Sequence, residues 1–172
     1  MSNLIKRARL AAIKWHGDQV RKYTSEPYWR HPEAVAHLVT LHGGTDEMIA
    51  AAWLHDVIED TMANADDVRR DFGITVASYV VGLTDLYTPH AYPRLNRLER
   101  KERERMRLAA QPREIKTIKL ADLIDNSKSI RKYDPDFAVT YLAEKRRLLD
   151  DALGDGHPDL WHLADKIVRE AA

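Results

Sequence analysis

The chain has 172 residues, 44% of them hydrophobic and 31% charged, which is the make-up of one globular domain with a sizeable core. Its formal net charge is zero, which argues against a nucleic-acid polymer or an anionic membrane as partner. It has no cysteine, so disulfides, thiolate metal sites and cysteine nucleophiles are excluded, and any metal must be held by histidines and carboxylates.

No apolar run approaches membrane-spanning length, and Lys6, Arg7 and Arg9 are not followed by an apolar signal core. A cytoplasmic location is therefore expected. No linker, repeat or low-complexity tract interrupts the chain, and residues 1–172 read as one domain. The pattern assigns no oligomeric state.

In chain order, Leu4, Ala8, Ala11, Ala12 and Trp15 recur at helical spacing and predict a helix over about residues 3–16. His16-Gly17 closes it, and a loop with Pro27 and Pro32 as breakers follows. Pro32 is expected at the first position of the next helix, with His31 at its entrance. Gly43-Gly44 ends that helix, and Thr45 caps another that runs through Trp53 to the His55-Asp56 pair. Asn64 caps a short helix. Ile74–Leu83 reads as a helix, with a short strand as the alternative.

Arg94–Arg107 holds seven bases against three acids and reads as a solvated helix with local pairs such as Glu99–Arg103. A basic surface of this kind in a neutral protein can also hold phosphates. Pro112 begins a further helix, Asp134-Pro135 another, and the last carries Leu160, Ala164, Ile167 and Val168. The fold class expected is all-α, a single-domain helical bundle.

The chemistry concentrates at Leu54-His55-Asp56-Val57-Ile58-Glu59-Asp60-Thr61. On one continuous helix, His55 lies beneath Glu59 and Asp56 beneath Asp60. One imidazole and three carboxylates then crowd a short surface between apolar residues, and a divalent cation is the simplest way to neutralise them. Asp122, set among Leu120, Ala121, Leu123 and Ile124, is costly to bury unpaired and is a plausible further ligand.

Taken together, the ordered set His16-Gly17-Asp18-Gln19, Arg21-Lys22, Glu26-Pro27-Tyr28, His31-Pro32, His55-Asp56 through Thr61, Phe72-Gly73, and Lys119-Leu120-Ala121-Asp122 with Asn126 resembles the HD superfamily of metal-dependent phosphohydrolases. Within it the set is most similar to the RelA/SpoT-type (p)ppGpp hydrolase domain and the Mesh1-like small alarmone hydrolases. The resemblance implies a helical HD-domain bundle that binds Mn²⁺, or another divalent metal, through His31, His55, Asp56 and Asp122. It implies that Glu59 and Asp60 act on the attacking water. It implies nucleotide contacts from Arg21, Lys22, Ser25, Arg97, Lys101 and Asn126. The reaction implied is removal of the 3′-pyrophosphate of ppGpp or pppGpp, giving GDP or GTP.

Three positions depart from the family pattern. Leu123 stands where relatives often carry Arg or Lys, Asp85 where they often carry Lys, and Ser25 where many carry Gly. All three touch the expected substrate rim. The alternatives are another HD nucleotide phosphohydrolase, taking phosphate from NADPH or from a deoxynucleotide, or a non-catalytic nucleotide-binding module. The intact Glu59-Asp60 pair favours an enzyme, since a sensor needs the metal ligands at most.

Overall fold

The computed structural model describes residues 1–170. Ten helices account for the regular structure of those residues: α1 Asn3–His16, α2 Arg30–Leu41, α3 Asp46–Leu54, α4 Val57–Asp60, α5 Ala65–Phe72, α6 Ile74–Leu83, α7 Arg97–Ala109, α8 Arg113–Tyr133, α9 Pro135–Ala152 and α10 Pro158–Arg169. The all-α expectation holds. The only strand-like pairing among the described residues is an isolated bridge between Val20 and Pro27 in the loop after α1. No helix of the described residues is long and apolar enough to cross a membrane.

The helix starts follow local chemistry. The Thr45 hydroxyl accepts from the Met48 N–H at 3.3 Å and opens α3. Asn64 and Asp67 exchange bonds in a capping box that opens α5, and Asn96 and Glu99 do the same for α7. That second box takes the Glu99 carboxylate, so the expected Glu99–Arg103 pair does not form. The ion pairs of α7 instead join Glu102 to Arg105 and Glu104 to Arg107. The start of α2 also differs from expectation. It begins at Arg30, two residues before Pro32. Pro32 still falls in the first turn, where its missing N–H removes no helical bond.

Two helices organise the core. Every residue of α3 from Met48 to Leu54 is buried, as suits a helix apolar on all sides and packed against α1, α2 and α6. The long helix α8 runs past α2, α6, α9 and α10. It contributes Ile115, Ile118, Leu120, Ala121, Leu123 and Ile124 to one continuous hydrophobic core. Trp53 is buried in that core, with Trp15 and Trp161 packed against it, so these indoles serve packing. The loop from α6 to α7 is pinned by the buried carboxylate of Glu104, which accepts from the Leu86 and Tyr87 amides. Arg107 completes the anchor, bonding Glu104 at 2.7 Å and donating to the carbonyls of Gly82 and Thr84.

Candidate metal centre

The His-Asp pair does not lie inside a continuous helix. α3 stops at Leu54, and the single turn α4 starts at Val57. The cause is local. His55 Nδ1 donates to the Ala52 carbonyl at 2.9 Å, and that carbonyl is the one an uninterrupted helix would offer to the Asp56 amide. Asp56 takes φ −98° and ψ −4°, which turns the chain and swings α4 away. The stacking of Glu59 over His55 is thereby replaced. Glu59 instead reaches the loop after α6, where it accepts the Asp85 amide at 2.8 Å.

The break aims His55 Nε2 at the start of α2. There it meets His31 Nε2 at 3.2 Å. His31 Nδ1 donates to Asp125 Oδ2 at 2.7 Å, so both rings spend Nδ1 on a backbone or carboxylate oxygen and turn Nε2 to the same spot. Asp122 Oδ1, from α8, lies 3.2 Å from His31 Nε2 and 3.8 Å from His55 Nε2. Asp56 Oδ2 lies 3.0 Å from His55 Nε2 and 3.5 Å from His31 Nε2. Ligating atoms of His31, His55 and Asp122 all fall within 4.8 Å of one another. Two imidazole nitrogens facing each other repel unless a proton or a cation lies between them. This two-nitrogen, two-carboxylate set therefore fits a divalent ion.

Supporting residues hold each carboxylate. Asn126 donates to Asp122 Oδ1 at 2.6 Å, and Lys119 sits 2.9 Å from Asp122 Oδ2. The Tyr28 hydroxyl donates to Asp56 Oδ2 at 2.7 Å. Arg21 bonds Asp125 at 3.1 Å. Asp125, Tyr28 and Lys119 carry no ligand role in the sequence reading, although the three-residue spacing of Asp122 and Asp125 on one helix face signals the first of them.

The electrostatics match the crowding. Burial disfavours a charged His31, yet hydrogen bonds to Asp122 and Asp125 and the nearby Asp56 raise it to about 9. Burial likewise opposes ionised Asp122 and Asp56, but Lys119 holds Asp122 well below the usual carboxylate range and His55 does the same for Asp56. Glu59 moves the other way. Desolvation, then Asp85 and Asp56 working against Lys119, push it up to about 7. Asp60 is raised by desolvation and by Asp56.

The expected substrate residues divide. Arg21 lines a cleft with His31 and Asp125, beside Lys128 and Lys132. Lys101 lines a second pocket and pairs with Asp85 at 3.1 Å. Asn126 is turned onto Asp122. Lys22 points to solvent and pairs with Asp134, and Arg97 is held in a two-bond pair by Glu144 at 2.6 and 2.9 Å. Ser25 has φ 57°, a left-handed conformation that a glycine adopts without strain. Leu123 is 1% exposed and belongs to the core.

Residues 8–148 match the family model described as HD domain. The chain belongs to the HD domain family. Among HD relatives, it is 33% identical over 138 residues to the guanosine-3′,5′-bis(diphosphate) 3′-pyrophosphohydrolase MESH1 of Danio rerio, covering 77% of this chain and 72% of that protein. It is 37% identical over 134 residues to a probable guanosine-3′,5′-bis(diphosphate) 3′-pyrophosphohydrolase of Synechocystis, covering 77% of this chain but only 17% of that longer protein. The HD fold superposes on a solved metazoan ortholog of SpoT, described as hydrolysing ppGpp, with a TM-score of 0.86 and 28% identity, covering 99% of this chain and 96% of that one.

Proposed function

We propose that this HD domain is a metal-dependent hydrolase that removes the 3′-pyrophosphate of guanosine alarmones, ppGpp to GDP and pppGpp to GTP, each with release of pyrophosphate. The observation that carries the reading is the convergence of His31 Nε2 and His55 Nε2, 3.2 Å apart, between the carboxylates of Asp122 and Asp56. The names of the similar proteins supply the substrate class. We take the metal to be Mn²⁺, held by His31, His55, Asp56 and Asp122.

A divalent ion so held supplies a Lewis acid for a phosphoryl oxygen and makes a nearby water more acidic. The chain's own residues do the rest. Asp125 and the Ala52 carbonyl fix the tautomers that leave both Nε2 atoms free to ligate. Glu59, with a pKa near neutrality, accepts the proton of the attacking water, with Asp60 beside it. Arg21, in the cleft beside His31, binds the nucleotide phosphates. Lys119 stabilises the negative charge that gathers around Asp122 and Glu59.

The test is to incubate the purified chain and Mn²⁺ with ppGpp, NADPH and a panel of deoxynucleotides, resolving the products by chromatography. GDP and pyrophosphate from ppGpp support the proposal. Turnover of another nucleotide with ppGpp untouched assigns the site to that substrate.

A further inference from the structure

A second pocket, a small one open to solvent, lies between α7, α8 and α9. It adjoins the metal centre through two residues. Lys119 lines it while holding Asp122, and Asp85 lines it while giving its amide to Glu59. The acids of its wall are already matched: Asp85 by Lys101, Glu102 by Arg105, Glu104 by Arg107, and Glu144 by Arg97.

Lys145 is different. It projects from α9 into this wall, half-buried, with its Nζ 4.9 Å from the ring centre of Tyr141. Among the described residues it has no ion-pair or hydrogen-bond partner. The cations Lys119 and Lys101 face it, and the attraction it feels from Asp122 and Asp85 comes from carboxylates that other lysines already hold. Burial, then those two lysines, lowers its pKa to about 8. An ammonium that faces two other cations and has no acceptor of its own is stabilised when an anion enters beside it.

We propose that this pocket is a phosphoryl-binding subsite in which Lys145, with Lys101, holds a phosphate group of the substrate while the cleft at Arg21 takes another part of the same nucleotide. The proposal rests on the phosphohydrolase reading above. Tyr141 gives Lys145 an aromatic face to rest on without neutralising it.

Inorganic pyrophosphate serves as the probe, with the metal-loaded protein. Brief acetylation near pH 8 followed by peptide mass spectrometry reads the accessibility of each lysine. Pyrophosphate is expected to slow modification of Lys145 by about tenfold, the change that occupancy well above Kd gives, and to leave the exposed Lys14 unaffected. Lys145→Met should weaken pyrophosphate binding, read by calorimetry, and raise KM for ppGpp by about tenfold, with Lys145→Arg restoring most of both. Lys145 modified equally fast with and without pyrophosphate, together with an unchanged KM in Lys145→Met, would overturn the subsite and leave the hydrolase reading intact. Protection of Lys145 in a protein that turns over no nucleotide would sustain the subsite and remove the hydrolase reading alone.

Discussion

Asp125 Oδ2 accepts from His31 Nδ1 at 2.7 Å, and the same oxygen takes Arg21 at 3.1 Å. One carboxylate therefore orients a proposed metal ligand and positions a proposed substrate contact. Asp125→Asn, which can present its amide either way, should lower metal affinity by about 10–100-fold and raise KM while the fold is kept. Metal titration followed by calorimetry checks this, and unchanged affinity would separate Asp125 from the centre.

His31 is raised to about 9, so near neutral pH and without metal its ring is held protonated between Asp122 and Asp125. A ligating imidazole must be neutral. Metal binding at pH 7 should therefore release the His31 proton, and affinity should climb as pH rises toward 9. Calorimetry in buffers of different ionisation enthalpy counts the proton. Binding heats independent of the buffer would refute the coupling.

Glu59→Gln should keep the metal and lose about 10²–10⁴-fold in kcat. Glu59 is pushed up to about 7 and must be ionised to accept a proton, so the wild-type rate should be full above that pH and fall below it. The glutamine variant should lack that acidic limb. A pH–rate profile of identical shape in both proteins would exclude Glu59 as the base.

Stability should be sensitive at Gly44, between α2 and α3. A Cβ built there meets Val39 Cγ1 at 2.4 Å and the Val39 carbonyl oxygen at 3.0 Å. Because the backbone is one of the two obstacles, Gly44→Ala should cost about 1–3 kcal/mol. Urea unfolding gives the value directly, and a shift within 0.5 kcal/mol, roughly the range of neutral surface changes, would show that the loop yields.

Much of this architecture is written locally in the chain. The caps Thr45, Asn64 and Asp134 and the prolines at 112 and 135 mark helix starts within a residue or so, and Val76, Val80 and Leu83 fix the buried face of α6. The His-Asp pair and the aspartate among leucines point to the centre because buried charge demands a partner. What the sequence does not show is set by distance along the chain. His55 bonds a carbonyl three residues back, but the His31 ring that its Nε2 meets comes from α2. The Asp125–His31 contact spans two helices, and Arg97 is taken up by Glu144 from α9. Lys145 lies in an ordinary polar stretch, and only the packing of α7, α8 and α9 leaves it without a partner.

The most direct test follows ppGpp by ³¹P NMR with the wild-type chain and with His55→Ala, first in EDTA and then after Mn²⁺ is restored. The account predicts intact ppGpp in EDTA, appearance of GDP and pyrophosphate when Mn²⁺ is added to the wild type, and no conversion by His55→Ala under either condition. Hydrolysis that continues in EDTA, or that survives the loss of His55, would contradict it.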